Sequence, residues 1–193
     1  MAPALADPAT VAGWVTDRMD EDDLPYAIGG ALALAAHGFP RATADVDLAV
    51  FVSEADVSRL FAALERAGCA FSPAAARAAV RRVALFTVRC GRVLVDVFVS
   101  FHPLHHESLA RRVRLRCPDG IERWFLSAED LAVHKLALAR PKDVVDLERL
   151  FAARGADLDV AYVRRWVRAV AGRHDPRTAL LERLIRRFVR RRG

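Results

Sequence analysis

Apolar residues recur with two periods along this chain, and the change of period divides it. In the first half, short apolar runs rich in β-branched residues predict strands at Pro25–Ile28, Val46–Val52, Val83–Val88 and Val93–Val99. Between the last two stands Arg89-Cys-Gly-Arg92, a hairpin signal in which Gly91 is free to turn the chain. Helices are predicted over Ala9–Met19, Ala31–His37 and from Ser53 or Glu54 to about Ala67, and the alanine-rich stretch Ala74–Ala79 also reads as helix. The segment Pro103-Leu-His-His106 and the basic stretch after it read as loop, and Cys117-Pro-Asp-Gly120 as a turn.

From Ser127 onward the pattern is helical throughout. Ser127-Ala-Glu-Asp130 resembles a capping box opening a helix that reaches about Ala139, where Pro141 breaks it. Further helices are predicted over Lys142–Ala153 and Val160–Ala171. A last one follows the Asp175-Pro176 start, with Leu180, Leu181, Leu184, Ile185, Phe188 and Val189 on one stripe. Strands with helices, then helices alone, predict an α+β core with a helical C-terminal half. The expected division is a core at 1–102 and a helical region at 103–193.

Composition narrows the class. At 193 residues and 53% hydrophobic, the chain has material for a real core and is not intrinsically disordered. No apolar run approaches the ~18 residues of a membrane-spanning helix. Met1–Ala12 lacks the features of a secretory signal. Cys69, Cys90 and Cys117 are an odd number with no C-x-x-C pair, so a reduced, cytoplasmic protein without structural zinc is expected. Charge is segregated beneath the net +6. Residues 1–76 hold 4 basic and 11 acidic residues, 77–116 hold 9 and 2, and 164–193 hold 11 and 2, so a phosphate-rich partner is expected at the basic blocks. Since 28 of the 30 basic residues are arginine, a plain compositional bias competes with that reading.

The chemistry concentrates in residues 28–48. Gly29-Gly30 joins a strand to a helix, where backbone can approach a phosphate closely. Asp45 and Asp47 flank Val46 on a predicted strand, on one face and roughly 7 Å apart. Asp96 interrupts the apolar strand 93–99, where burial without a partner is costly. Three carboxylates on neighbouring strands have the hard oxygen donors that suit two Mg²⁺ or Mn²⁺ ions about 3.5–4 Å apart, and such a pair activates a hydroxyl and stabilises a leaving pyrophosphate. Each feature alone has an ordinary structural meaning: a solvated D-x-D, a turn, a surface salt-bridge cluster at 142–146. The triple His102, His105 and His106 lacks a matching Cys or acidic ligand and is read as a loop at the mouth of the site.

The order Gly29-Gly30, Asp45-Val-Asp47, Asp96 resembles the polymerase-beta-like nucleotidyltransferase superfamily. The phrasing is nearest to the branch of abortive-infection (AbiEii-type) toxins and uncharacterised bacterial relatives. A second block, Ser127–Leu147, with Lys135 followed by Arg140-Pro-Lys-Asp-Val-Val-Asp146, supports that branch, and the resemblance covers about residues 25–151. It implies a small mixed sheet flanked by helices. It also implies transfer of a nucleotide from an NTP to an acceptor hydroxyl, with Asp45, Asp47 and Asp96 as metal ligands and Asp96 as the acceptor of the hydroxyl proton. Lys135 would act in catalysis. Gly29, Gly30, Arg41, Thr43, Lys142, Asp143 and Asp146 would serve the nucleotide or its neighbours. The implied partners are RNA, for example a tRNA 3′ end, and a cognate antitoxin protein. A drug acceptor of aminoglycoside or lincosamide type, a protein acceptor, and a catalytically degenerate binding module are the alternatives. One departure is Ala31, where many members carry Ser or Thr after the glycines.

Overall fold

A computed structural model describes residues 6–100 and 102–189. They fall into two units, up to Phe125 and from Leu126 onward.

In the first unit the elements run α1 (Pro8–Glu21), β1 (Tyr26–Ile28), α2 (Gly30–Ala36), β2 (Asp45–Val50), a 3₁₀ turn at Glu54–Asp56, α3 (Val57–Arg66), β3 (Cys69–Ala70), α4 (Pro73–Val83), β4 (Leu85–Cys90), β5 (Val93–Val99), α5 (Pro103–Arg111), β6 (Val113–Arg116) and β7 (Glu122–Phe125). The strands form one mixed sheet ordered β3-β4-β5-β2-β1-β7-β6. The β2–β5 and β1–β7 pairs are parallel and the other four antiparallel. Helix starts follow local chemistry: the Asp7 and Ser72 side chains accept from Thr10 N and Ala75 N, and a proline follows each cap.

The two faces of the sheet differ. Val46, Leu48 and Val50 of β2, Val95, Val97 and Val99 of β5, and Phe86, Val88 and Cys90 of β4 are all buried. Alternate positions on β4 and β5 are exposed or half-buried, so the period-2 pattern of these strands reads as one core face and one open face. Helix α1 lies against β1, β2 and α3, and its Val11, Val15 and Met19 are buried.

Several expectations need correction. The stretch after residue 102 is not loop. His102 caps α5 by accepting from Leu104 N, so the histidines open a helix. Strands β6 and β7 extend the sheet on both sides of the 117–120 turn, and they carry the first unit to Phe125, beyond the expected boundary at 102. Their alternation was masked by arginine, because Arg114 and Arg116 take the outward positions of β6 and Arg112 and Arg114 stack on Trp124. Nor are all the cysteines reduced. Cys69 and Cys90, 21 residues apart, are register partners on β3 and β4 with Cα atoms 4.3 Å apart, and they form a disulfide; Cys117 is free.

The second unit holds α6 (Ala128–Leu138), α7 (Pro141–Arg154), α8 (Val160–Ala171) and α9 (Pro176–Phe188). Leu131, Leu136, Leu147, Leu150, Phe151, Val163 and Leu181 are at most 1% exposed and make its core. Among the described residues no helix is long and apolar enough to cross a membrane.

Candidate active site

The open face of the sheet gathers three carboxylates by register. Asp45 and Asp47 point to that face from β2, two residues apart. The parallel β2–β5 pairing sets Asp47 opposite Asp96, and the β4–β5 hairpin sets Thr87 opposite Asp96. One row across the sheet therefore reads Thr87, Asp96, Asp47. The next row reads Arg89, Leu94, Asp45.

Two threonine hydroxyls hold carboxylates in place. Thr87 Oγ1 donates to Asp96 Oδ1 at 2.6 Å, and Thr43 Oγ1 donates to Asp45 Oδ1 at 2.5 Å. Each bond fixes a rotamer and leaves the second carboxylate oxygen outside that bond. Arg41, expected nearby, donates to the Ala42 carbonyl at 3.1 Å.

The glycine pair shapes this corner. Gly29 N–H donates to the Asp47 carbonyl at 2.8 Å, which ties the end of β1 to β2. Gly30 has φ +55°, and a Cβ there would lie 1.7 Å from Asp47 Oδ2. No other residue fits without moving that carboxylate. Gly30→Ala is therefore expected to fold with a lower Tm and to lose at least about tenfold in activity, on the order of 1.4 kcal/mol of transition-state stabilisation. Thermal melting and a transfer assay check this together, and unchanged activity would show that the Asp47 position is not critical.

The donor set has the chemistry of a hard divalent cation site: carboxylate oxygens, two of them on register partners, with no thiolate or imidazole among them. Among the described residues no group of three or more His, Cys, Asp or Glu converges as a finished set of ligands. The fit is thus one of donor type and register. That same finding holds for His102, His105 and His106.

The second block forms a cluster inside its own unit. Lys135 of α6 is buried, with Nζ 2.7 Å from Asp146 Oδ2 and 3.8 Å from Asp143 Oδ1 on α7. Asp143 also accepts from Arg140 Nε at 2.7 Å and from the Arg140 backbone N at 3.1 Å. Burial works to raise the Asp143 carboxyl, but the Arg140 hydrogen bonds outweigh it and hold the group below the usual carboxylate range. Lys142, the other lysine of the block, is exposed on α7. Asp130, buried one turn before Lys135, accepts from Ser127 Oγ at 2.7 Å and from Tyr162 Oη at 2.6 Å, which joins α6 to α8.

A cavity of about 700 Å³ lies elsewhere in the first unit, lined by α1, α2 and the turn at 117–119, and none of the three carboxylates borders it. Sequence reasoning passed over Thr87 and Arg89. The signal was present, since a ladder continued through a two-residue turn at Gly91-Arg92 pairs residue 87 with 96 and 89 with 94.

Residues 14–170 match the family described as nucleotidyltransferase of unknown function (DUF6036). The chain belongs to this family of nucleotidyltransferases. The match spans both the carboxylate face and the Lys135 cluster. Among solved structures, the antibiotic-resistance factor ANT(2″)-Ia in solution is 18% identical, with TM-score 0.51 over 93% of this chain and 90% of that one. That likeness shows a shared fold, in keeping with the mixed sheet and helical C-terminal half. A crystal structure of ANT(2″)-Ia with adenylyl-2″-tobramycin gives 18% identity and TM-score 0.49 over 93% and 98% of the two chains. An antigenic nucleotidyltransferase-like protein from Paracoccidioides brasiliensis gives 16% and 0.46 over 90% and 91%. No curated protein matches the chain.

Proposed function

We propose that this nucleotidyltransferase moves a nucleotide from an NTP to an RNA hydroxyl, a tRNA 3′ end being the first candidate, with Asp45, Asp47 and Asp96 holding Mg²⁺. The observation that carries the metal site is the register pairing of Asp47 with Asp96 on the open face, with Asp45 two residues before. Bound there, Mg²⁺ would neutralise charge on the triphosphate and the leaving pyrophosphate. The chain's own groups account for the rest. An acceptor oxygen bonds to the α-phosphorus as the bond to the bridging oxygen of pyrophosphate breaks, and the pyrophosphate leaves with that electron pair. Asp96, held at Oδ1 by Thr87, takes the hydroxyl proton at its other oxygen. Thr43 keeps Asp45 turned to its place. Gly30 gives Asp47 its room.

RNA is favoured by the surplus of arginine, although the structure reduces it. Arg81 pairs with Glu54, Arg164 and Arg168 with Glu182, Arg177 with Asp175, and Arg187 with Glu148. Arg82, Arg89 and Arg92 in the first unit are exposed and have no salt bridge to a described residue. The resemblance to AbiEii-type toxins points the same way and adds a cognate antitoxin as a partner.

The experiment incubates the protein with Mg²⁺, each α-labelled NTP in turn and unfractionated bacterial tRNA. Label on tRNA, lost in Asp45→Asn/Asp47→Asn, is the expected result. Label on an aminoglycoside or lincosamide and not on tRNA would replace the acceptor. Label on neither would leave RNA transfer without support.

A further inference from the structure

We propose that Arg89 and Leu94 form an acceptor subsite beside the carboxylates, built to take a phosphodiester nucleotide: Arg89 holds the phosphate and Leu94 lies under the sugar or base. This rests on the RNA reading above and deepens it. Four observations support the subsite. The ladder sets Arg89, Leu94 and Asp45 in one row across β4, β5 and β2, next to the row of Thr87, Asp96 and Asp47. Two strand spacings separate Arg89 from Asp45, roughly 10 Å. Both side chains face solvent: Arg89 is exposed, and Leu94 is among the few large apolar residues that are, at 41%. No described residue offers Arg89 a salt bridge, whereas Arg81 has Glu54 and Arg77 has the Ser58 hydroxyl and the Phe61 ring.

The chemistry selects among acceptors. A free guanidinium forks onto phosphate oxygens and repels a polycationic drug. An exposed leucine between that cation and the carboxylates offers a surface to a ribose or base rather than to a second phosphate. The pair therefore reads one phosphate and one nucleoside, the repeating unit of a nucleic-acid 3′ end.

The test measures binding and transfer separately. Binding of a short fluorescent oligoribonucleotide with a 3′-hydroxyl is followed by anisotropy for wild type, Arg89→Ala, Arg89→Lys and Leu94→Ser, over a salt series. Arg89→Ala is expected to weaken binding about tenfold and to lower the salt slope by about one, uniformly across sequences. Arg89→Lys restores charge but not the fork and recovers part of the loss. Leu94→Ser weakens binding with no change in slope. The KM for NTP stays within about twofold in all three. Binding that ignores Arg89, or that is absent in wild type, overturns the subsite. So does a loss carried by the KM for NTP, which would assign Arg89 to the triphosphate. Absence of label on tRNA with binding as predicted would fault the transfer reading alone. Circular dichroism confirms that each variant is folded.

Discussion

Asp47→Asn is expected to lower nucleotidyl transfer by about 10³-fold while leaving the melting temperature within a few degrees of wild type. The substitution keeps the shape and removes one charge. Asp47 stands at the crossing of every feature of the site: its register partner is Asp96, its strand neighbour on the same face is Asp45, and Gly30 is bare to make room for it. A divalent cation contributes several kcal/mol of charge stabilisation in the transition state, and about 1.4 kcal/mol corresponds to each factor of ten. A single-turnover assay with saturating NTP and Mg²⁺ reads the rate. Thr87→Val offers a graded companion, since it deletes only the hydroxyl that holds Asp96 Oδ1. Undiminished turnover in Asp47→Asn would move the chemistry away from this face.

The second large effect is on stability. Lys135→Met is expected to cost about 3–5 kcal/mol, because it strips the lysine cation from the buried Asp146 carboxylate, 2.7 Å away. For a chain of this length that is a fall in Tm of roughly 6–20 °C. Adding Asp146→Leu should recover most of it, since replacing both members of a buried pair by apolar groups is nearly neutral. Asp143 keeps Arg140 in either case. Differential scanning calorimetry of the single and double variants checks the pair, and additive losses would mean that the two residues do not act together. Activity of the double variant also separates two roles for the Lys135–Asp146 pair. If stability returns and transfer does not, the pair serves the nucleotide as well as the fold.

Position 135 shows what tertiary structure adds to a residue. In the sequence it is one of only two lysines, in a block that resembles a known family, and it invites a role at the triphosphate. In the fold it is buried between two aspartates of the next helix, because α6 and α7 pack and bring residues 11 apart to hydrogen-bond distance. Lys142, equally inviting in sequence, is exposed.

Residues within one element were legible beforehand. Strand periodicity alone put Asp45 and Asp47 on one face, and the Asp175-Pro176 start placed α9. The Gly29-Gly30 stop between β1 and α2 was equally plain, since a glycine pair interrupts both patterns. Contacts between distant segments were not. Asp96 could be nominated as an aspartate out of place in an apolar strand, but its position beside Asp47 depends on a parallel pairing across 49 residues, which no local signal encodes. The same applies to β7 beside β1, and to Cys69 with Cys90, whose spacing means nothing until the β3–β4 register makes them neighbours. Local periodicity reflects which face of an element is buried, and so it survives in the sequence. Register between strands far apart in the chain is set by the packing of the whole sheet, and only the tertiary structure decided it.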